Sequence, residues 1–436
     1  NYYKMKVEQI YTGCIAEAAY YIVSNNEAAI IDPLRETEPY LERLHDDGVQ
    51  LKYIFETHFH ADFVSGHIDL ARKTGAQIVY GPLANADYEI YSAKDNEEFK
   101  LGNITIKVLH TPGHTMESST FLMIDENGHE HAIFTGDTLF LGDVGRPDLA
   151  IKSDVTREDL AGYLFDSLRN RIMPLPDGVI VYPGHGAGSA CGKNMSSETV
   201  DSLGNQKMNN YALRADMTKE EFIKEITEGL LPPPQYFPKN AMMNKHGYDS
   251  IDKVFERGNK PLSLEEFKKE KENGAIVLDT RHQSEFEKGH VLNSLYIGLH
   301  GNFAMWVGAL ITDIKQRIIL ITSEGQEKEA MMRLARVGYD YPVGYLKGGI
   351  QTWIDAGEEV GTVNSISPAD FEKIYNEDLN IVDVRKPGEY NAQRVTNAIT
   401  LPLDYIHDHL DDLDKDKTYY IHCAGGYRSV SAISIL

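Results

Sequence analysis

Short apolar runs, each closed by a sharp turn and then a polar residue, recur along the first part of the chain. Leu51 to Phe55 leads into Thr57-His58-Phe59-His60-Ala61-Asp62-Phe63. Ile104 to Leu109 leads into Pro112-Gly113-His114, Ala132 to Phe134 into Gly136-Asp137, and Val179 to Val181 into Pro183-Gly184-His185. Runs of this length bounded by Gly and Pro predict strands. The turn behind each is where a rigid scaffold presents functional side chains. Pattern and charge predict helix in parts of the segment from Ser196 to Glu228, closing over those strands. Leu231-Pro232-Pro233-Pro234 through Pro238 reads as a stiff, extended stretch. A new domain is expected near Pro261-Leu262-Ser263, where Ser263 followed by Glu266 has the pattern of a capping box.

The hydrophobic pattern then repeats itself. The segment Ala275 to Leu299 aligns with Asn380 to Leu403, matching Asp279 with Asp383, Arg281 with Arg385, Glu285 with Glu389 and Asn293 with Asn397. Each copy is preceded by a helix signal, L-S-L-E-E-F or I-S-P-A-D-F. Each is followed by a buried-strand run, Ile318 to Ile321 or Tyr419 to Ile421. Strands alternating with helices predict a parallel sheet in each copy.

Composition narrows the class. A chain of 436 residues that is 42% hydrophobic is long enough for about two to four domains with full cores. A net charge of −23 argues against nucleic acid and against anionic membrane surfaces as partners. The cysteines Cys14, Cys191 and Cys423 are odd in number and far apart, which points to free thiols in a reducing, cytoplasmic compartment. The start of the chain has no apolar signal-peptide core, and no apolar run reaches the length of a membrane helix.

The polar residues behind the strands form a chemical set. His58, His114 and Asp137 supply two imidazoles and one carboxylate. That is the facial triad that binds non-haem Fe(II) and leaves positions open for substrate and O₂, although ligand type alone leaves zinc open. Cys191, six residues after His185, reads first as packing, with an approach to the metal site and a sulfur relay as the alternative. Cys14 reads as structural. In the second repeat, H-C-A-G-G-Y-R-S places Cys423 before two glycines and the start of a helix, with Arg428 close by. Backbone N–H groups, a helix N-terminus and a guanidinium all favour an anionic sulfur. The first repeat has Ser323 at the place of the cysteine, among Glu324, Glu327 and Glu329.

These motifs carry a resemblance. Residues from about 4 to 245 resemble the persulfide dioxygenases of the metallo-β-lactamase superfamily, relatives of glyoxalase II. The shared motifs are T-H-F-H-A-D-F-V-S-G-H, H-T-P-G-H-T, G-D-T-L-F-L-G-D-V-G-R-P-D-L and Y-P-G-H-G. The superfamily pattern H-x-H-x-D-H ends in a histidine that helps to hold a second metal, and here that position is Phe63. The resemblance implies one Fe(II) per chain on His58, His114 and Asp137, with Arg146 near the substrate. It places His60, Asp62 and His185 beside the iron, at a vacant second metal position. It implies oxidation of a small-molecule thiol persulfide by O₂ to sulfite. The alternative is a glyoxalase II-like thioester hydrolase with a sulfur-carrier domain, which would need the two-metal bridge that Phe63 opposes.

The repeats resemble rhodanese domains, the first inactive and the second a sulfurtransferase with Cys423 and Arg428 at its active site. Only four residues separate that pair. The related phosphatases have a longer loop that fits phosphate, so the short loop implies sulfur transfer, here from persulfide to sulfite, giving thiosulfate. The expected architecture is α/β and multidomain: an αββα sandwich over residues 1–245, an inactive rhodanese-like domain over 246–361 and a sulfurtransferase domain over 362–436. The second repeat stops at Leu436 inside a helix, so the chain is expected to lack its natural C-terminus. A homo-oligomer is expected. The thiol carrier is open among glutathione, coenzyme A, bacillithiol and cysteine.

Overall fold

The computed structural model describes residues 3–150 and 154–436. It divides into two compact units, 1–251 with 336–338, and 252–335 with 339–436.

The first unit contains two six-stranded sheets packed face to face. One runs in chain order through Tyr3–Thr12, Glu17–Asn25, Glu27–Ile31, Gln50–Glu56, Gln77–Tyr80 and Tyr91–Ser92. The other has the order Asp201–Ser202, Ile180–Pro183, Glu130–Gly136, Ser119–Ile124, Ile104–His110 and Glu98–Leu101. The period-2 geometry of a strand explains the apolar runs, because both faces of the central strands are buried. In Glu17–Asn25, Ala18, Tyr20 and Ile22 face the space between the sheets. There they meet Phe55, Val79, Phe121 and Phe134. The alternate residues Ala19, Tyr21 and Val23 face outward and are covered with Tyr40, Leu44 and Leu70. Those three come from the helices Glu38–Asp47 and His67–Thr74.

The outer face of the second sheet is covered by Arg157–Ser167 and Lys219–Thr227, through Leu160 to Leu164 of the first and Phe222 and Ile226 of the second. The result is the αββα sandwich. The segment from Ser196 to Glu228 is helical only at Leu203–Asn209, Tyr211–Leu213 and Lys219–Thr227. The Pro-rich stretch is shorter than expected. Pro238 starts the helix Phe237–His246, where its missing N–H costs nothing, because the first-turn donors have no helical partner.

The second unit holds the repeats. The first builds an all-parallel sheet in the order Pro261–Leu262, Pro342–Leu346, Ile318–Ile321, Ile276–Asp279 and Leu295–Tyr296. The second builds Ile399–Thr400, Ile381–Asp383 and Tyr420–His422, also parallel. The aligned residues do the same things twice. Arg281 clasps Asp279 through Nη2 to Oδ2 at 2.7 Å, and Arg385 clasps Asp383 with the same atoms at the same distance. Asn293 and Asn397 both sit in the left-handed region, at φ 61° and 63°. Asn tolerates that region better than branched residues do. Ser263 and Glu266 form the capping box that opens the helix Leu264–Glu272. Among the described residues, no helix is long and apolar enough to cross a membrane.

Candidate metal centre and thiol site

Three strand ends converge in the first unit. His58 follows Gln50–Glu56, His114 follows Ile104–His110, and Asp137 follows Glu130–Gly136. Each offers a ligand atom within 4.8 Å of the others, and all three are buried. Asp137 Oδ2 lies 3.3 Å from His114 Nε2 and 3.8 Å from His58 Nε2. Gly136 makes this approach possible. It has φ 49°, and a Cβ there would come within 2.5 Å of Thr57 Oγ1.

Hydrogen bonds behind the ligands fix which nitrogen carries the proton. His114 Nδ1 is 2.8 Å from the Arg146 carbonyl oxygen, which can only accept, so Nδ1 is the N–H and Nε2 keeps its lone pair. Thr57 Oγ1 donates to Asp32 Oδ2 at 2.8 Å and is therefore the acceptor for His58 Nδ1 at 2.9 Å. Burial pushes the His58 pKa well below its usual value, with His60, His114 and His185 adding to the fall. Both carboxylate oxygens of Asp137 are buried without a hydrogen-bond partner. Two imidazole nitrogens and an unpartnered buried carboxylate brought together fit a divalent cation, which would supply a counter-charge for the carboxylate.

The neighbouring residues His60, Asp62 and His185 also bring three buried ligand atoms within 4.8 Å of one another, but Phe63 stands where the superfamily pattern has a further histidine. Phe63 is fully buried, and its ring centroid is 4.5 Å from that of His60. His60 Nε2 lies 2.9 Å from Asp32 Oδ1 and 3.4 Å from Glu56 Oε2. Burial opposes charge on this ring, but the two acids outweigh it and hold its pKa well above the usual value. Burial raises the Glu56 carboxyl to about 7. Asp62 and His185 remain beside the centre, with His185 Nε2 3.4 Å from both Asp62 Oδ2 and Asp137 Oδ1.

Cys191 comes closer than a packing role requires. Its sulfur shares a cluster with Asp137 and His185, all within 4.8 Å. Burial, then Asp62 and Asp137, push its thiol well up. Arg146 is placed differently from a free anion receptor. Its guanidinium holds Asp148 in two hydrogen bonds of 2.6 and 2.8 Å and donates to the carbonyls of Ala190 and Leu231. What it turns toward the metal ligands is its backbone carbonyl.

In the second repeat, Cys423 sits between the strand Tyr420–His422 and the helix Tyr427–Ile435, and it lines a cavity of about 1390 Å³. Gly426 N–H donates to its sulfur at 3.2 Å, and Ser429 Oγ is 3.6 Å away. Burial raises the thiol pKa, but the hydrogen bonds from Ser429, Gly425 and Gly426 outweigh it and the net shift is downward. Arg428 is clamped to Glu389 at 2.7 and 3.0 Å, and this bond holds the Glu389 carboxyl down at about 2. The aligned Glu285 has no such arginine and caps its own helix at His282 N. Ser323 of the first repeat is half-buried beside the exposed Glu324.

Residues 12–185 match the model of the metallo-beta-lactamase superfamily, and residues 263–356 and 367–436 match that of the rhodanese-like domain. The human mitochondrial persulfide dioxygenase ETHE1 is 30% identical over 214 residues, which cover 48% of this chain and 75% of that protein. A probable hydroxyacylglutathione hydrolase of Schizosaccharomyces pombe, glo2, is 35% identical over 161 residues, covering 36% of this chain and 58% of that protein. The chain thus spans less than two thirds of that relative. A solved metallo-beta-lactamase from Staphylococcus aureus superposes with a TM-score of 0.68 at 30% identity, covering 79% of this chain and 98% of that one. The chain belongs to the metallo-beta-lactamase superfamily. Two rhodanese-like domains follow its metallo-beta-lactamase domain.

Several residues that shape this metallo-beta-lactamase site carry no motif signal. Asp32 follows the strand Glu27–Ile31 and obeys the same strand, turn, polar-residue rule as the ligands, so that rule applied once more would have found it. Glu56 looks like the polar end of an apolar run. Asn244 lies far away in sequence. Its side chain donates to the carbonyls of His60 and Phe63 at 2.8 Å and accepts from Ser65 N–H at 2.9 Å, which fixes the whole T-H-F-H-A-D-F turn.

Proposed function

We propose that the metallo-beta-lactamase domain is a persulfide dioxygenase that uses one Fe(II) held by His58, His114 and Asp137. The reaction is R–S–SH + O₂ + H₂O → R–SH + SO₃²⁻ + 2H⁺. An Fe(II) held by these residues would supply the redox chemistry for O₂ and coordination positions left open for substrate. The chain's residues supply the rest. The Arg146 carbonyl and Thr57 hold the two imidazoles in the metal-binding tautomer. Arg146, whose guanidinium is held by Asp148 and the carbonyls of Ala190 and Leu231, stands near the substrate in this reading and acts through its packing around the site.

The observation that carries this reading is one complete two-histidine, one-carboxylate cluster beside a second group that has Phe63 in place of a histidine. Phe63 cannot ligate, and the acids Asp32 and Glu56 lie 2.9 and 3.4 Å from His60 Nε2. The hydroxyacylglutathione hydrolases among the relatives favour a second reading, thioester hydrolysis. A two-metal hydrolase needs both positions filled, and Phe63 leaves the second position one histidine short. Metal analysis of anaerobically purified protein tests the point. One iron per chain is expected, and two zinc ions per chain would overturn the assignment.

The second rhodanese-like domain carries sulfane sulfur on Cys423. The thiolate attacks the outer sulfur of R–S–SH, the S–S bond breaks, and the thiol R–SH leaves with the proton. Sulfite then attacks the outer sulfur of the Cys423 persulfide, forms thiosulfate and releases the thiolate. Backbone N–H groups and the helix start around Cys423 favour the anion at each stage.

A further inference from the structure

The first rhodanese-like domain, which has serine in place of the nucleophile, reaches the Cys423 loop. Tyr427 Oη donates to the Gly298 carbonyl at 2.7 Å, and its ring centroid lies 5.7 Å from that of Tyr296. Val430 packs with Phe286 and Tyr296. Gln283, at the start of the helix Gln283–Lys288, brings Nε2 to 3.4 Å from the Gly425 carbonyl oxygen. Its other amide atom, Oε1, is buried without a partner. Only the amide NH₂ can face a carbonyl oxygen, so the orientation of this side chain follows from its neighbour.

The Gly425–Gly426 peptide unit joins this contact to the sulfur. A peptide is planar and trans, so its C=O and N–H point in opposite directions. Here the carbonyl faces Gln283 and the N–H faces Cys423 Sγ at 3.2 Å. Fixing one end fixes the other. A peptide between two glycines has little steric resistance to turning over, and Gly426 already sits at φ 91°. A turned peptide would direct an oxygen at the sulfur and destabilise an anion there.

We propose that Gln283 is a positioning residue for sulfur transfer: it holds the Gly425 carbonyl and thereby aims the Gly426 N–H at Cys423. The domain without a nucleophile completes the site of the domain that has one. This rests on the reading of Cys423 as a sulfur carrier, so the test reads the thiol itself.

The measurement is the pH dependence of iodoacetamide alkylation at Cys423 in the full chain, followed by mass spectrometry of the peptide that contains it. The charged and titratable groups around the loop are Arg428, Glu389, Asp404, His422 and Asp383, with His300 and Arg333 acting on Tyr427 from the first domain and His282 stacked on His300. All of them remain in the variants. Gln283→Met keeps the bulk and removes the donor. Gln283→Ala removes both. Both variants are expected to raise the alkylation midpoint by about one pH unit, a roughly tenfold smaller thiolate fraction below it. Unchanged thermal unfolding would show that the fold is kept. A parent-like alkylation profile in Gln283→Met overturns the proposal, as does a shift confined to Gln283→Ala, which would mean packing. If the parent transfers no sulfur yet the midpoint moves in both variants, the sulfur-carrier reading falls and the role of Gln283 in setting the thiol stands.

Discussion

At the scale of single residues, the candidate metal centre is set by groups that never touch the metal. Thr57 accepts from His58 and donates to Asp32, so one hydroxyl fixes a ligand's tautomer. Thr57→Val keeps the shape and removes that link. Iron affinity is expected to fall roughly 10- to 100-fold, read by competition with a chelator. Arg146 acts through a different contact. Arg146→Ala strips Asp148 of its partner but leaves a backbone carbonyl for His114, so iron content should stay near that of the parent. The apparent KM for persulfide should rise, and stability should drop by about 3 kcal/mol because a buried charge loses its mate. Urea unfolding and oxygen-uptake kinetics check both. Unaltered kinetics would remove Arg146 from the substrate's surroundings.

At the scale of elements, the strands were readable because two-sided burial writes continuous apolar runs. The grouping of His58, His114 and Asp137 was readable because each stands on the turn that ends such a run. The repeat was readable because Asp279 and Asp383, with their arginines, do the same structural job twice. The orientation of His60 was not readable: it is decided by Asp32 and Glu56, which come from two different strand ends. Asn244 was hidden for the same reason, since its three hydrogen bonds span about 180 residues of chain. The thiol loop shows what a strand–loop–helix element needs beyond its nucleophile. Ser323→Cys puts a sulfur at the matching place, but the loop there carries Glu324 and lacks the Gly-Gly pair. Its alkylation midpoint should lie near the ordinary thiol value of about 8.5. Cys423 should react at lower pH, because its thiol is held down. The thiolate is the reactive form, so sulfur transfer by Cys423 should fade only as pH drops through that lowered value. Coincident profiles for the two positions would contradict this.

At the scale of the whole molecule, the account joins an oxidising centre to a sulfur carrier in one chain. Cys423→Ser should leave oxygen uptake largely intact and change the product, with sulfite accumulating where the parent makes thiosulfate. Equal thiosulfate yield would show that Cys423 is not the transfer site. The central claim is that a single iron, held by His58, His114 and Asp137 beside a second group that has Phe63 in place of a histidine, oxidises a persulfide. Its most direct test is oxygen consumption by the iron-loaded full chain given a low-molecular-weight persulfide. The account predicts one O₂ consumed and one sulfite released per persulfide oxidised in Cys423→Ser. No oxygen uptake, with hydrolysis of a glutathione thioester by the same preparation, would contradict it.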